Sequence, residues 1–236
     1  MKTVYHGLVC THHLLEWAGS ETVTVEIIEE LQRQGCELSL YCPYVNRDFL
    51  ESALGSNVTF IDREEDIDIS RFDFVYSHHQ MPSRFILQQP LVNVLGKRRP
   101  VFVYNHLSSF EPFEFPGPWC EEQLADIILC NSPETADRLC DFGERYSKTQ
   151  PFYNPAPRAF ESTEYLPNDG ELKKVLAISN HIPEELSEAF DLLSDQGVSI
   201  KHIGNPSSNR RVVPGDLAES DAVTVSYTHL TLPTKA

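Results

Sequence analysis

Positive charge is scarce in this sequence of 236 residues, which has 19 lysines and arginines against 35 aspartates and glutamates and a formal net charge of −16. That balance opposes unassisted docking on nucleic acid phosphates or on an anionic membrane leaflet, so we expect neither as a partner. No apolar stretch approaches the roughly 20 residues that span a bilayer, and the start, MKTVYHGLVCTHH, turns polar too early for a signal peptide. We therefore expect a cytoplasmic protein without a transmembrane segment.

Several motifs that carry chemistry are also missing. The six cysteines include no CxxC pair and sit mostly in or beside apolar runs, as small buried hydrophobic residues of reducing compartments do. The sequence has no HExxH pair of metal ligands and no GxSxG nucleophile elbow. It also has neither the GxGxxG dinucleotide fingerprint nor the GxxxxGK[ST] P-loop. We expect no metal site, and no nucleophilic serine of the elbow type.

What the sequence does contain is a regular alternation of apolar runs and helical patterns. Six runs predict strands: KTVYHGLVC, CELSLYC, NVTFID, FDFVYSHH, PVFVYNH and ADIILCNS. A helix is predicted from about residue 21 to 34, because apolar side chains recur at helical spacing before Gly35. A later helix follows Ser132, which can cap it ahead of Pro133. The alternation predicts an α/β protein with a Rossmann-type parallel sheet.

Polar side chains follow several of these strands at their carboxyl ends. In an open parallel sheet the ligand crevice lies beyond those ends. We therefore expect five side chains to project toward one shared cleft and to take part in binding or catalysis: His78, His79, His106, Asn131 and Ser132. His12 and His13 follow the first strand in the same way. A structural role for such histidines is the alternative.

The loop EWAGSET joins the first strand to the first helix. Gly19 allows a tight turn and a close backbone approach, and the following helix presents N–H groups at its positive end. Together they could cradle a phosphate or a sugar. Glu21, in the first turn, competes with an anion there, so a plain strand-to-helix turn remains the alternative.

A second α/β unit begins after a segment rich in proline and polar residues. KKVLAIS, PEELSEAFDLLSDQG and VSIKHIG predict a strand, a helix and a strand. We assign residues 1–153 to the first domain, 154–171 to a linker, and 172–225 to the start of an incomplete second domain. Residues 226–236, SYTHLTLPTKA, continue none of this pattern and resemble a translated sequencing adapter. We expect a non-native tail there, with a genuine polar extension as the alternative.

Five segments occur in a characteristic order: GSETVTVEIIEELQRQGCELSLYCP, FDFVYSHH, VFVYNH, ADIILCNSPETADRL and FYNPAP. Their order and spacing resemble the N-terminal half of a GT-B glycosyltransferase of the retaining, family 4-like kind, over about residues 1–225. Such enzymes typically have a Gly-Gly-x-Glu loop before a helix, a histidine ending a mid-sheet strand, and an AD…S step from strand to helix. The expected fold is therefore GT-B-like, with a second α/β domain after the first.

This resemblance implies sugar transfer from a nucleotide-sugar donor to an acceptor with retention, without a metal or other cofactor. It implies that Gly19, Ser20 and Glu21 lie near the donor's phosphates and sugar. It also implies that His106 contacts a hydroxyl of the transferred sugar or of the acceptor. The acceptor is expected to be a sugar, a lipid-linked glycan or another glycan, recognised by the loop SSFEPFEFPGPW, in cell-surface polysaccharide or glycoconjugate synthesis. A surface loop held by its aromatic residues is the alternative for that segment.

The sequence departs from the family pattern at the start of the second domain. Ser179, Asn180 and His181 stand where the family has an arginine and a lysine for the diphosphate. We expect Asn180 and His181 to contact the donor, although neutral groups stabilise a diphosphate less than cations do. Arg210 and Arg211 are the nearest cations, and a solvated basic pair is the simpler interpretation of them. The Glu-x7-Glu region that holds the nucleotide is missing, so we expect this chain by itself to be inactive.

Two other functions fit the same scaffold, because such folds host many activities. One is a non-catalytic module that binds a sugar or a nucleotide. The other is a GT-B nucleotide-sugar epimerase, which needs acid/base carboxylates facing the cleft. The acids of this sequence lie mostly in predicted helices and in DREEDIDIS, which is typical of a solvated run.

Overall fold

The computed structural model describes residues 4–78, 100–107, 125–140, 149–154, 157–161, 164, 170–180, 182–204 and 208–225. The chain divides into two compact units. Unit 1 comprises Met1–Leu15 and Val23–Pro155, and unit 2 comprises Glu16–Thr22 and Ala156–Ala236. The predicted linker and domain boundaries stay predictions, and the predicted tail at 226–236 lies outside the described residues.

Unit 1 is built on a parallel sheet. Its strands are β1 His6–Cys10, β2 His13–Leu14, β3 Glu37–Tyr41, β4 Tyr44–Val45, β5 Thr59–Ile61, β6 Phe74–Ser77, β7 Val101–His106, β8 Ile127–Cys130 and β9 Gln150–Pro151. Seven of them pair in the order β5-β3-β1-β6-β7-β8-β9, every pair parallel, while β2 pairs separately with β4. The strand order therefore reverses between β1 and β6, which makes this pair the switch point of a doubly wound sheet. All six predicted strands are confirmed.

Within the described part of unit 1 lie, wholly or mostly, the helices α1 Gly19–Arg33, α2 Arg47–Leu54 and α3 Pro133–Cys140. Helix α1 begins two residues before its predicted start, and its central residues Val25 and Ile28 are fully buried. Asn46 caps α2 by accepting hydrogen bonds from two backbone N–H groups of its first turn. Ser132 caps α3 as predicted, because its Oγ accepts from the Thr135 N–H at 3.2 Å.

The core of unit 1 includes residues on both faces of the sheet, because Val9 and Leu40 are as fully buried as Leu8 and Cys10. One cluster of the core contains Leu8, Cys10, Tyr41, Ile67, Ile69, Val75, Phe102 and Tyr104. Ile67 and Ile69 come from the acidic run DREEDIDIS, where two short 3₁₀ turns, Glu64–Asp66 and Ile69–Arg71, turn the isoleucines inward. The prediction of a wholly solvated run is therefore wrong for its apolar residues. Burying them anchors the run by the hydrophobic effect.

Unit 2 repeats the same design on a smaller scale. Its strands β10 Lys174–Ile178, β11 Ser199–Ile203 and β12 Ala222–Val225 form a parallel sheet in the order β11-β10-β12. Helix α4, Glu184–Asp195, joins β10 to β11, and α5, Pro214–Ala218, precedes β12. The predicted strand, helix and strand of the second unit are confirmed, and Leu176 and Ala177 are buried in the middle of β10.

Cys10, Cys42 and Cys130 are buried as predicted, whereas Cys140 is exposed. Among the helices that the structure describes, none is long and apolar enough to cross a membrane.

Candidate functional site

His106 is the last residue of β7 and is 2% exposed. Its ring packs edge-on against Tyr104 with 4.6 Å between the ring centroids. Alternation along the strand turns its neighbour Asn105 to the opposite face, where the Asn105 amide donates to the Tyr76 hydroxyl at 2.8 Å. The carboxyl end of β7 thus carries one buried polar side chain on each face of the sheet. The predicted role of His106 in catalysis stays a prediction.

Asn131 and Ser132 lie directly after β8 and organise the turn into α3. The Asn131 backbone donates to the carbonyl of His106 at 3.2 Å, and its side-chain amide donates to the carbonyl of Leu107. Its Oδ1 accepts from the Thr135 hydroxyl at 2.8 Å. Since Ser132 caps the helix, both residues have structural hydrogen bonds in the turn, and their predicted contact with substrate stays a prediction.

His78 lies at the switch point between β1 and β6. It is fully buried, and its Nε2 lies 2.9 Å from the Thr11 hydroxyl and 3.0 Å from that of Thr24. Burial lowers the pKa of His78 to about 3, with a smaller contribution from His13, so the imidazole is neutral near pH 7. His78 therefore joins the end of β1 to helix α1, while His79 lies outside the described residues.

His12 and His13 follow β1, and His13 begins the short strand β2. The His12 ring packs edge-on against Tyr44 at a centroid distance of 4.9 Å. Burial lowers the pKa of both histidines, and in His12 the neighbouring imidazole of His13 adds to the effect. The structure thus gathers three imidazoles, of His12, His13 and His78, around the carboxyl ends of β1 and β6. The described residues contain no group of three or more side chains arranged to hold a metal ion.

A second set of polar side chains lies in unit 2 and includes the loop before α1. The Trp17 N–H donates to Asn209 Oδ1 at 2.7 Å, and the Trp17 carbonyl accepts from the amides of Asn180 and Asn209 at 3.2 and 3.1 Å. The two amides also contact each other at 3.4 Å. Asn180 follows β10, and Asn209 follows the turn after β11. The loop before α1 is therefore tied by its backbone to the carboxyl ends of two parallel strands.

Gly19, Ser20 and Glu21, predicted to bind the donor, form the first turn of α1 and belong to unit 2. Gly19 is exposed, and a Cβ atom built on it would have no neighbour within 4 Å. Ser20 Oγ donates to Glu21 Oε2 at 2.9 Å, and Glu21 is 2% exposed. The folded chain itself has space for a side chain at position 19.

Gly204 is the opposite case. It follows β11 with a φ of +132°, and a Cβ atom built on it would lie 1.8 Å from the Ser179 carbonyl oxygen. The Ser179 N–H donates to the carbonyl of Ile203 at 3.0 Å, and the His202 ring lies 2.8 Å from the Ser179 oxygen. Glycine at 204 lets the ends of β10 and β11 approach each other, which brings Asn180 toward Asn209. The neighbouring His181 lies outside the described residues.

The two consecutive arginines occupy different environments, and the interpretation as a solvated pair is wrong. Arg210 makes two hydrogen bonds to Asp216 at 2.7 and 2.8 Å, and Asp216 is 3% exposed. Lys201 and the Val213 N–H also contact this carboxylate, at 2.8 and 2.9 Å. These bonds hold the pKa of Asp216 well below its usual range and raise that of Arg210. The Arg211 guanidinium instead lies over the Trp17 ring, 5.6 Å from its centroid.

The structure thus brings together some of the predicted site residues. Gly19, Ser20, Glu21 and Asn180 share unit 2, and the carbonyl of Trp17 is one hydrogen bond from Asn180. His106, Asn131 and Ser132 lie together at the end of β7 and β8 in unit 1. Sequence reasoning missed Trp17 and Asn209. A tryptophan before the predicted turn and an asparagine after a strand were available signals, but nothing in the sequence pairs them.

Comparison with known proteins agrees with this architecture. The sequence model of glycosyltransferase family 4 matches residues 17–158. This range contains helix α1, the strands β3 to β9 and most of the loop before α1. No curated protein matches the chain significantly.

Solved structures resemble the chain at low sequence identity. An α-glucosyltransferase in complex with UDP and a 13-mer DNA containing a HMU base is 15% identical with a TM-score of 0.57, covering 86% of this chain and 57% of its own. Anabaena Alr3699/HepE in complex with UDP and glucose is 14% identical with a TM-score of 0.55, covering 84% and 60%. The lipopolysaccharide outer core galactosyltransferase WaaB is 13% identical with a TM-score of 0.52, also covering 84% and 60%. The chain therefore spans less than two thirds of the length of these relatives.

The parallel sheet, the second smaller α/β unit and the likeness to these structures define a GT-B fold. With more than half of its residues matched by the family model, the chain belongs to glycosyltransferase family 4. The sequence-based resemblance to a GT-B, family 4-like protein is thereby confirmed.

Proposed function

We propose that this chain acts in the transfer of a sugar from a nucleotide-sugar donor to an acceptor, with retention of the anomeric configuration. The observation that carries the proposal is the set of hydrogen bonds between the Trp17 backbone and the amides of Asn180 and Asn209. It supports a donor site in unit 2 that is formed by the first turn of α1 and the loops after β10 and β11. Family 4 membership supports the reaction class.

A nucleoside diphosphate sugar is the donor that best fits this arrangement. The first N–H groups of a helix have no partner within the helix, and together with the helix dipole they favour an anion. Gly19 leaves open space at that helix start, so a phosphate group can approach the backbone closely. Structural relatives bound to UDP or to UDP-glucose support the same class of donor.

The proposed chemistry asks the protein mainly to position groups and to stabilise charge. The bond from the anomeric carbon to the phosphate oxygen breaks, and the acceptor oxygen bonds to that carbon on the same face. The leaving diphosphate takes the acceptor proton, so no pair of catalytic carboxylates is required. The residues near the diphosphate then stabilise its developing negative charge, and His106 is proposed to hold a sugar or acceptor hydroxyl.

We propose a glycan or lipid-linked glycan acceptor, and a role in cell-surface polysaccharide or glycoconjugate synthesis. One relative is bound to DNA, but the net charge of −16 on this chain disfavours a phosphate backbone as acceptor. A neutral polyhydroxylated acceptor has no such penalty. The galactosyltransferase of the lipopolysaccharide outer core is consistent with an acceptor of that kind.

The donor part of the proposal is tested by titrating the chain with UDP and UDP-glucose and recording heats of binding. We expect saturable binding of both through their phosphates, because the first turn of α1 and the strand ends of β10 and β11 are present in this chain. Uridine, which lacks the phosphates, serves as the matched control and should bind more weakly. If neither UDP, UDP-glucose nor any other nucleoside diphosphate binds, the proposed donor class is wrong.

The role of His106 is tested in a polypeptide that contains this chain and is long enough to transfer sugar. His106→Ala is expected to reduce turnover by about 100-fold, the size of a typical single catalytic contact, with little change in donor affinity. Unchanged turnover would eliminate His106 from the reaction. Loss of donor binding alone would instead favour a binding module, and thermal unfolding of the variant controls for misfolding.

A further inference from the structure

An exposed tyrosine lies at the carboxyl edge of the sheet of unit 1. Tyr44 is 55% exposed and begins β4, three residues after the end of β3. Strand β4 pairs with β2, which begins three residues after the end of β1. In an open parallel sheet the ligand crevice lies beyond the carboxyl ends of the strands. Tyr44 is therefore on the side of unit 1 where a ligand is expected.

The backbone and the ring of Tyr44 are held in place by their neighbours. The Tyr44 N–H donates to the carbonyl of His12 at 3.3 Å, and the Tyr44 carbonyl accepts from the Cys42 thiol at 3.2 Å. Just after β4, the Asn46 N–H donates to the carbonyl of Leu14 at 2.8 Å. The ring itself packs edge-on against His12. A large side chain that is already ordered loses little conformational entropy when it binds a ligand.

The two-stranded sheet of β2 and β4 has one open face. Leu14 is fully buried, whereas the neighbouring Leu15 is 48% exposed, so alternation along the chain places Leu15 on the same side as His13. His13 is the register partner of Tyr44, and these two side chains therefore share a face of the sheet. Leu15, Tyr44 and the half-buried His13 together form one apolar and aromatic surface, the β2–β4 surface.

The chemistry of the β2–β4 surface fits a neutral sugar ring. One face of a pyranose carries C–H groups, which pack against an aromatic ring, as ligand sites lined by aromatic side chains allow. Burial lowers the pKa of both His12 and His13, so their imidazoles are mostly neutral near pH 7 and add no positive charge that would favour an anion. A second copy of the chain fits less well, because two molecules with a net charge of −16 repel each other.

We propose that the ring of Tyr44 stacks against a pyranose ring of the acceptor, with Leu15 extending the apolar contact. This inference rests on the proposed function, because it names a residue that recognises the glycan acceptor of the same reaction. Tyr44 then determines specificity: ligands with a sugar ring bind at the β2–β4 surface, and open-chain polyols do not. Stacking requires the aromatic ring of Tyr44 and not its hydroxyl group.

The test titrates the chain with methyl glucopyranoside and methyl galactopyranoside while following the methyl resonances of Leu15 by NMR. Sorbitol, which has the hydroxyl groups but no ring, is the control ligand. Tyr44→Ala is expected to weaken glycoside binding by about 10-fold, the loss of one aromatic contact, whereas Tyr44→Phe should stay within about 2-fold of the unmodified chain. Tyr5→Ala is the matched control variant, because Tyr5 is also 55% exposed but precedes β1, at the opposite edge of the sheet. If Tyr44→Ala lowers the melting temperature, Tyr44→Leu replaces it, since leucine keeps apolar bulk without an aromatic face.

Weaker glycoside binding by Tyr44→Ala, with full affinity in Tyr5→Ala and Tyr44→Phe, supports the role of Tyr44. Full affinity in Tyr44→Ala overturns it, as does an equal loss in Tyr5→Ala or equally tight binding of sorbitol. A dimer in sedimentation that only Tyr44→Ala dissociates would assign the β2–β4 surface to a second copy and also overturn it. If the unmodified chain binds UDP but neither glycoside, the role of Tyr44 is wrong while the donor proposal stands. If it binds no glycoside and no nucleoside diphosphate, both fail.

Discussion

At the scale of single residues, two glycines of unit 2 differ in whether the fold requires a glycine at that position. Gly204 has a φ of +132°, and a side chain there would collide with the Ser179 carbonyl, so the backbone itself demands glycine. Gly19 starts α1 with open space around it, and glycine in a helix lowers stability relative to alanine. Gly204 is therefore required by the fold, whereas the open space at Gly19 fits the proposed approach of a phosphate.

This difference is measurable with two alanine variants. Gly19→Ala is expected to raise the free energy of unfolding by up to about 1 kcal/mol, yet weaken UDP binding, because the methyl group fills the space that the phosphate needs. Gly204→Ala is expected to lower the free energy of unfolding by at least about 2 kcal/mol. Urea unfolding and UDP titration check both. Full UDP affinity in Gly19→Ala would contradict a close phosphate approach at this turn.

At the scale of secondary-structure elements, His78 holds together three of them. It follows β6, and its ring contacts the Thr11 hydroxyl after β1 and the Thr24 hydroxyl on α1. These are the elements that meet at the switch point of the sheet. A neutral imidazole can hydrogen-bond with both hydroxyls, whereas a charged one would lie in a site without exposed surface.

The packing of β1, β6 and α1 around His78 should therefore be less stable in acid. The pKa of His78 is lowered to about 3 in the folded chain from an ordinary value near 6.5, so the unfolded chain binds an extra proton between these values. The stability due to neutral His78 is complete above about pH 6.5 and falls by about 1.4 kcal/mol for each unit below it. His12 and His13, whose pKa values are also lowered, act in the same direction.

Comparison with His78→Gln isolates this contribution, because glutamine can hydrogen-bond but does not titrate. We expect the difference in unfolding free energy between wild type and variant to shrink as the pH falls from 6.5 to about 4.5. Urea unfolding at several pH values measures it. A constant difference over that range would mean that His78 is not held neutral in the folded state.

At the scale of the whole molecule, charge separates this chain from one of its relatives. An α-glucosyltransferase of similar fold is bound to a 13-mer DNA. This chain carries 35 acidic against 19 basic residues, and among the described residues Arg47, Arg63 and Arg210 lie in ion pairs with aspartates. Binding to DNA is driven largely by neutralising phosphates with cations, so a similar fold does not by itself predict DNA binding by this chain.

We therefore expect the chain not to bind a fluorescently labelled 13-mer duplex, with or without UDP, at about 150 mM salt. Lower salt should not produce binding either, since it strengthens repulsion between like charges. Fluorescence anisotropy measures this, with a basic DNA-binding protein as positive control. Saturable binding that weakens as salt increases would show that a local basic surface outweighs the net charge.

Much of the fold could be predicted from the sequence, and the reason is local. Most of the six predicted strands of unit 1 are short segments rich in apolar and aromatic residues, as expected for strands of a parallel sheet. The two-residue strands β2, β4 and β9 were not predictable, because two residues cannot show a period. The start of α1 was predicted two residues late, since Gly19 and Ser20 are poor helix formers placed in its first turn.

The candidate site could be predicted only in part, because it depends on contacts between distant residues. Strand ends pointed to His106, Asn131 and Ser132, which needs only the direction of a parallel sheet. Asn180 was indicated by the resemblance to the family. The pairing of Trp17 with Asn209 could not be read from either residue's neighbours. The separation of Arg210 from Arg211 was equally hidden, because it depends on where Asp216 lies in the folded unit.

The hydrogen bonds of Trp17 also have a consequence for the order of events during synthesis. Its partner Asn209 lies 192 residues further along the chain. At the usual pace of about 5 to 20 residues per second, the ribosome needs about 10 to 40 s to make that stretch. During this time the indole, one of only two in the chain, has neither Asn209 nor Arg211 beside it. A change in the fluorescence of Trp17 is therefore expected to report when unit 2 is completed on the ribosome.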